Sequence, residues 1–275
     1  MSVEQAESTA RTYYDSPDAD TFYSKVWGGE DIHVGLYETP QEEIAAASRR
    51  TVARMAEIAG IGPDTTVLDL GAGYGGAARQ IAKATGATVH CVNLSPVENE
   101  RNTRLTSEQG LSDKVDVVTA SFEDVPVDDA SVDVVWSQDA FLHSGNRDAV
   151  LDEIARVLKP GGQVVFTDPM AADGLDQSSI QPILDRIQLA TMATPGFYTD
   201  GLERRGFSEV KFHDHADQLP THYRRVREEL VAREAELAAE ISEGYISGMK
   251  AGLQHWVDGG NAGKLSWGIV HAVKD

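Results

Sequence analysis

The stretch Thr66-Val-Leu-Asp-Leu-Gly-Ala-Gly-Tyr-Gly-Gly76 constrains this chain more than any other. Residues 66–70 are β-branched or apolar apart from one acid, the pattern of a short buried strand. Glycines at 71, 73, 75 and 76 then turn the chain tightly into a helix over about 74–84. Glycine has no Cβ, so it accepts positive φ and lets a ligand lie against the backbone. Such a turn, at the carboxyl end of a parallel strand and the start of a helix, is where α/β folds hold nucleotides. Residues 71, 73 and 76 also fit G-x-G-x-x-G, the dinucleotide fingerprint. However, the acid that NAD enzymes place roughly 20 residues on to hold a ribose is replaced by Asn93, and Asp69 precedes the first glycine.

The rest of the chain alternates around this unit. A helix is expected over 41–59, with Ile44, Ala45, Ser48, Val52, Met55 and Ala56 at helical spacing. Strands follow at 87–93, 114–120, 131–137 and 163–168, with helices at 96–109 and 147–158 between them. Lys159-Pro-Gly-Gly162 marks a sharp helix stop. This alternation implies a doubly wound parallel sheet. It breaks over 169–200, where a helix at 178–192 reads as a cap inserted after the fifth strand. A strand near 209–213, a long helix over 222–257 interrupted near Gly244 and Gly248, and a last strand at 264–273 complete the reading. Residues 1–40 form a separate N-terminal segment, crowded with Tyr13, Tyr14, Phe22, Tyr23, Trp27 and Tyr37. Trp27-Gly-Gly-Glu-Asp-Ile-His33 has the make-up of a closing loop, so this segment is expected to be a lid, with 41–275 as the domain beneath it.

Charge narrows the partners. With 44 acids against 24 bases the formal net charge is −20, which argues against nucleic acid or an anionic membrane surface, since both need Lys and Arg clusters. No apolar run approaches the ~18 residues of a membrane span, and the polar start is not that of a signal peptide. One cysteine, Cys91, allows no intrachain disulfide, in keeping with a reducing cytoplasm. Acids dispersed along the chain suit solubility or operation at high internal salt, and point to a halophilic or halotolerant host. The sequence leaves monomer and homodimer open. No metal site is expected, because the histidines at 213, 215 and 222 are loosely spaced and no CxxC or HExxH pattern occurs.

Asp69-x-Gly71-x-Gly73-x-Gly75, the alternation, and Lys159-Pro-Gly-Gly162 together resemble the class I S-adenosylmethionine (AdoMet) methyltransferases. That resemblance implies a Rossmann-like α/β fold with strand order 3-2-1-4-5-7-6. A narrower resemblance covers nearly the whole chain. Tyr14-Asp-Ser, Trp27-Gly-Gly-Glu-Asp-Ile-His-Val-Gly35, Asn93-Leu-Ser-Pro-Val-Glu-Asn99, Gln138-Asp-Ala-Phe-Leu-His143 and Gly263-Lys-Leu-Ser-Trp267-Gly268 are similar to the sarcosine/dimethylglycine N-methyltransferases, which make the osmolyte glycine betaine.

The resemblance assigns expectations to residues. Gly71 and Gly73 would offer backbone N–H groups to the methionyl carboxylate of AdoMet, with Asp69 orienting the loop or accepting from the amino group. Asn93 and Leu94 end the second strand, where the ribose lies; Ser121 and Phe122 end the third, where adenine lies. Gln138 would face the sulfonium, and Trp27, Ile32 and His33 of the lid would cover the cofactor. Asp139 and His143, four apart, would share a helical face, so that Asp139 orients the imidazole of His143, the expected general base. Tyr14 corresponds to the lid tyrosine that latches onto this histidine in phosphobase methyltransferases. The substrate would be a small methylated glycine. Aromatic faces suit the positive charge that passes to its nitrogen; Trp27, Tyr198, Tyr223, Trp256 and Trp267 are candidates, most of them destined for the core. Pro169 and Met170 follow the fifth strand and would shape the pocket floor. Its carboxylate calls for an arginine, and Arg186, Arg204 and Arg205 are the options. Competing readings are a phosphoethanolamine-type or natural-product methyltransferase, a non-catalytic AdoMet-binding module, and, more distantly, an NAD oxidoreductase.

Overall fold

Strand β1 (Thr66–Leu70) lies at the centre of the molecule, paired in parallel with β2 (Thr88–Asn93) on one side and β4 (Val132–Gln138) on the other. The computed structural model describes Ser8 and residues 15–275. Helices α1 (Pro17–Lys25) and α2 (Ile44–Ile58) precede β1, and α3 (Gly76–Thr85), α4 (Pro96–Glu108), β3 (Val115–Thr119), α5 (Arg147–Val157) and β5 (Leu158–Thr167) continue the alternation. Next come β6 (Met170–Ala171), α6 (Gln181–Arg186), α7 (Pro195–Glu203), β7 (Phe207–Asp214), α8 (Gln218–Ala232), α9 (Glu234–Leu237) and α10 (Glu243–Asn261). The final elements are β8 (Leu265–Ser266) and β9 (Gly268–Lys274). The seven-stranded sheet runs β3-β2-β1-β4-β5-β9-β7, the expected class I order. Its last arrival, β9, inserts antiparallel between β5 and β7, with Val270 opposite Phe166 and Phe212.

Strands buried on both faces carry apolar runs, here Val67–Leu68 in β1, Val134–Trp136 in β4 and Val164–Phe166 in β5, all buried. One face packs Val52, Met55 and Ile81 of α2 and α3 over Val67, Val89 and Trp136. The other packs Leu151, Ile154 and Leu202 of α5 and α7 over Leu70, Val135 and Phe166. Cys91 is buried in the first of these layers. Helix starts follow local chemistry: Ser95 accepts from the Glu98 N–H with Pro96 behind it, and Thr194 accepts from the Phe197 N–H with Pro195 behind it.

A third layer lies above the carboxyl ends of the strands. There Phe22, Tyr23 and Trp27 of the N-terminal segment pack with Tyr223 of α8 and Trp256 of α10. Tyr223 and Trp256 stack at 4.5 Å and 11°, and Trp27 meets Tyr223 edge-on at 5.6 Å. Polar contacts fasten the segment down: Tyr74 and Arg101 both donate to Asp20, at 2.9 and 2.6 Å, and Arg79 donates to Glu30 at 2.8 Å.

Three expected elements differ. The cap helix is shorter than 178–192: a 3-10 turn (Gln177–Ile180) leads into α6, which stops at Arg186. Gln188 then adopts φ +55°, and Gln177 exchanges two hydrogen bonds with the backbone of Met192, which pulls the chain off the helix axis. The helix read over 222–257 is three helices. Gly244 and Gly248 lie inside α10; the break falls at 238–242, where Ser242 caps α10 by accepting from the Tyr245 N–H. Finally, β5 starts at Leu158, since the Lys159-Pro-Gly-Gly162 turn is accommodated as a register shift against β4 rather than as a loop.

Candidate active site

A cleft opens at the carboxyl ends of β1, β2, β3 and β4, with about 770 Å³ of space when its open mouth is counted. Gly71 and Gly73 line it from the loop after β1, Asn93, Leu94 and Glu98 from the β2–α4 junction, Ser121 and Phe122 from beyond β3, and Gln138, Asp139 and His143 from beyond β4. Ile32 of the N-terminal segment closes it from above. The four loop regions named from sequence thus converge on one cleft.

A smaller compartment continues from it, lined by Asp31, Ile32, His33, Asp69, Gly71 and Gln138. Three buried groups here carry or can carry charge. Asp69 is 2% exposed, and its Oδ2 has no hydrogen-bond partner. Burial pushes its carboxyl up to about 7, with His33 pulling partly back. Burial opposes the charge on His33 as well, but the Asp31 and Asp139 carboxylates outweigh it and the net shift is upward. His33 Nε2 stands 3.6 Å from Asp31 Oδ1, an ion-pair distance too long for a hydrogen bond. Asp31 Oδ1 is itself a buried oxygen without a hydrogen bond. Orphaned carboxylate oxygens in a dry compartment are costly, and a ligand that brings an ammonium group would satisfy them.

Gly71 does not donate to a ligand here: its N–H is taken by Val92 O at 2.8 Å. Its role is one of space. At φ +79°, an added Cβ would fall 2.4 Å from that of Ala140, in the loop that carries Asp139 and His143.

At the other end of the cleft, Asn93 Nδ2 donates to Glu98 Oε2 at 2.9 Å. Burial pushes the Glu98 carboxyl up to about 7, against the hydrogen bond from Asn93. The strand end itself carries Asn93, and a buried acid, Glu98, stands five residues on, held by that asparagine. Ser95-x-x-Glu98 is a capping-box pattern. Its glutamate would ordinarily reach back to the cap N–H, so the pattern at a strand–helix junction marks Glu98 in retrospect. Phe122 meets Phe141 edge-on at 5.7 Å.

Asp139 and His143 lie in the same cleft, but not on a shared α-helical face. Asp139 takes φ +53°, and a 3-10 turn (Phe141–His143) follows. The Asp139 carboxylate accepts from the Val34 N–H at 2.6 Å and from Trp267 Nε1 at 2.8 Å. It therefore ties the N-terminal segment and the β8–β9 link to the cleft. Burial first, and the Arg147 guanidinium second, hold the His143 imidazole at about 4, so it is neutral at neutral pH.

Several expected site residues belong to the core. Trp27 sits in the aromatic layer between Tyr23, His222 and Tyr223, not in the cleft lining. Tyr198 is 1% exposed, packs on Phe166, and donates to Asp168 Oδ2 at 2.7 Å. Pro169 and Met170 are buried, and Met170 pairs with Ser266. Tyr223 and Trp256 stack in the layer above. Arg205 is taken up by Asp148 and Asp152 at 3.0 and 2.7 Å, and Arg204 is exposed. Arg186 crosses Gly252 of α10, where a Cβ would fall 2.1 Å from its Cδ, and reaches Met249 Sδ at 3.4 Å. Tyr14 lies outside the described residues. No metal-binding group of three or more His, Cys, Asp or Glu occurs among the described residues, and no described helix is long and apolar enough to cross a membrane.

Residues 68–166 match the methyltransferase domain family model. A sarcosine/dimethylglycine N-methyltransferase of Halorhodospira halochloris is 56% identical over 98% of both chains. The chain belongs to this methyltransferase family. A glycine/sarcosine/dimethylglycine N-methyltransferase of Actinopolyspora halophila is also 56% identical, but the chain spans only 47% of that longer protein. Among solved structures, a Galdieria sulphuraria protein described as a sarcosine dimethylglycine methyltransferase superposes with a TM-score of 0.90 at 46% identity, over 96% of this chain and 99% of that one. A phosphoethanolamine N-methyltransferase of Haemonchus contortus shares the fold, with a TM-score of 0.85 at 19% identity over 98% of this chain and 60% of that one.

The Asp69 shift gives an expected result for this family's methyl donor. With its carboxyl at about 7, Asp69 is almost wholly protonated at pH 5.5 and gains the charge that pairs with an ammonium as the pH rises through 7. AdoMet affinity should therefore tighten on the order of tenfold from pH 5.5 to 7, before α-amino groups lose their proton near 8. Asp69→Asn should flatten the profile. Calorimetry at the two pH values measures it, and equal wild-type affinities would contradict it.

Proposed function

We propose that this protein methylates the amine of sarcosine and dimethylglycine with AdoMet as methyl donor, giving glycine betaine. What carries this reading is the near-full-length identity to the Halorhodospira enzyme. The cleft supports it. The unpartnered Asp69 and Asp31 oxygens suit the α-ammonium of AdoMet, and the bare backbone at Gly71 and Gly73 leaves room beside them. Asn93 and Glu98 take the ribose hydroxyls, Ser121 and Phe122 the adenine, and Ile32 and His33 cover the amino-acid end. AdoMet, when bound, supplies a methyl group on a sulfonium centre.

His143 faces the acceptor. An aliphatic ammonium has a pKa near 10, and an imidazole held at about 4 would strip its proton only against roughly 8 kcal/mol. The residue is better matched to a substrate that enters as the free amine. It accepts the single N–H of sarcosine, which aims the lone pair, and it presents an uncharged surface to dimethylglycine as positive charge develops. Asp139 holds the lid segment over this end through Val34. Arg186, Arg204 and Arg205 all stand outside the cleft lining, so none of them is assigned to the substrate carboxylate.

A phosphobase substrate fits less well. Among the described residues the cleft is lined by Glu98, Glu123 and Asp139 and by no lysine or arginine, so a dianionic phosphate would meet more repulsion than the single negative charge of a methylated glycine. Release of S-adenosylhomocysteine on adding dimethylglycine, and none on adding phosphoethanolamine, is the expected outcome; the reverse preference would overturn the reading.

A further inference from the structure

The turn that carries His143 is held from outside. A three-residue 3-10 turn has few internal hydrogen bonds, here His143 N–H to Ala140 O at 3.1 Å and Ser144 N–H to Phe141 O at 3.0 Å, and is marginal alone. Both backbone groups of Leu142, the residue before His143, are instead gripped by side chains. Its N–H donates to Asp168 Oδ1 at 2.9 Å. Its carbonyl accepts from Arg147 Nη2 at 2.8 Å, and the same nitrogen donates to Thr191 O at 2.7 Å. Asp168 is fully buried just beyond β5, and its second oxygen is fixed by Tyr198 Oη at 2.7 Å.

Neither Asp168 nor Arg147 lines the cleft, so neither is placed to touch a ligand. A buried carboxylate is expensive to keep in a sheet core, and here its two oxygens are spent on one backbone N–H of the His143 turn and on the tyrosine that braces it. Arg147 adds a second effect: its charge is one of the two causes that keep His143 deprotonated, after burial.

We propose that Asp168, braced by Tyr198, and Arg147 form a bracket that positions His143 for methyl transfer. They are positioning residues, acting through the Leu142 backbone, and the assignment rests on the reading of His143 as the group facing the acceptor amine. The bracket fixes the direction of the imidazole from below, while the compartment at the cofactor end takes only Gln138, four residues before Leu142, from this loop.

Removing the bracket should therefore separate turnover from cofactor binding. Asp168→Ala, which leaves the Leu142 N–H unpaired, is expected to lower kcat at least tenfold with the AdoMet Kd within threefold of wild type. Asp168→Asn, whose amide oxygen can still accept from Leu142, should recover most of that loss. The His143 Cε1 proton resonance, identified by its absence in His143→Ala, should titrate at higher pH in Asp168→Ala as water reaches the loosened ring. Should Asp168→Ala not fold, Tyr198→Phe removes one bond of the bracket and is expected to lower kcat about threefold with the same unchanged Kd. The inference is overturned if kcat stays within twofold of wild type, or if kcat and AdoMet affinity fall together. A normal kcat in His143→Ala would instead defeat the underlying reading of that histidine, whatever Asp168 does.

Discussion

His143→Ala is expected to lower kcat with sarcosine on the order of 100-fold, the cost of misaligning the reacting lone pair. AdoMet affinity should stay within about threefold, because Asp31, Asp69 and Gly71 of the smaller compartment lie on other loops. The loss should be smaller with dimethylglycine. A neutral tertiary amine has no N–H for the imidazole to accept, so only the shaping of the pocket is lost. Steady-state kinetics with both substrates, beside calorimetry with AdoMet, separate these effects. Equal losses in turnover and cofactor affinity would mean that His143 only helps to bind AdoMet. The neutral state of the ring matters to this expectation. Burial and Arg147 hold it at about 4, so the His143-dependent part of the rate should not change between pH 6 and pH 8.

The second large effect belongs to Gly71. Its φ is +79°, a conformation that costs an alanine about 1 kcal/mol, and its Cβ would collide at 2.4 Å with Ala140. Gly110 makes a useful control, since it has φ +69° and open space around it. Both Gly71→Ala and Gly110→Ala should lose about 1 kcal/mol of stability to backbone strain. Only Gly71→Ala should also lose AdoMet affinity, by more than about 30-fold, because relieving the collision pushes the β1 and β4 loops apart where a ligand must bridge them. Thermal melts and calorimetry on the two variants test this. Matching affinities would show that the close approach of these loops is not what forms the site.

The same glycine illustrates what could be read from the chain and what could not. A glycine turn between a buried strand and a helix announces a ligand site because few other sequences tolerate that geometry; the alternation implied a doubly wound parallel sheet, and the family resemblance its strand order. Which atom of Gly71 matters was not legible. Whether an N–H is free depends on the register of β2, and Val92 O captures this one. Asp139 and His143 were found by their motif, but their four-residue spacing implied a helical pair. Asp139 instead adopts positive φ and answers to Val34 and Trp267, more than 100 residues away in either direction. Glu98 was hidden because a capping glutamate looks like local structure. The aromatic residues Trp27, Tyr198 and Tyr223 were ambiguous in principle: a ring that packs and a ring that cradles a cation have the same sequence. In the region 222–257 the new helix starts at the Ser242 cap, and a serine before Glu243 is a stronger signal for a start than Gly244 or Gly248, which lie inside it.

The most direct test of the account is the product formed from dimethylglycine. The purified protein, incubated with AdoMet and separately with glycine, sarcosine, dimethylglycine and phosphoethanolamine, should convert sarcosine to dimethylglycine and dimethylglycine to glycine betaine, each identified by mass. Absence of betaine from dimethylglycine, under conditions where AdoMet binding is demonstrated, would contradict it.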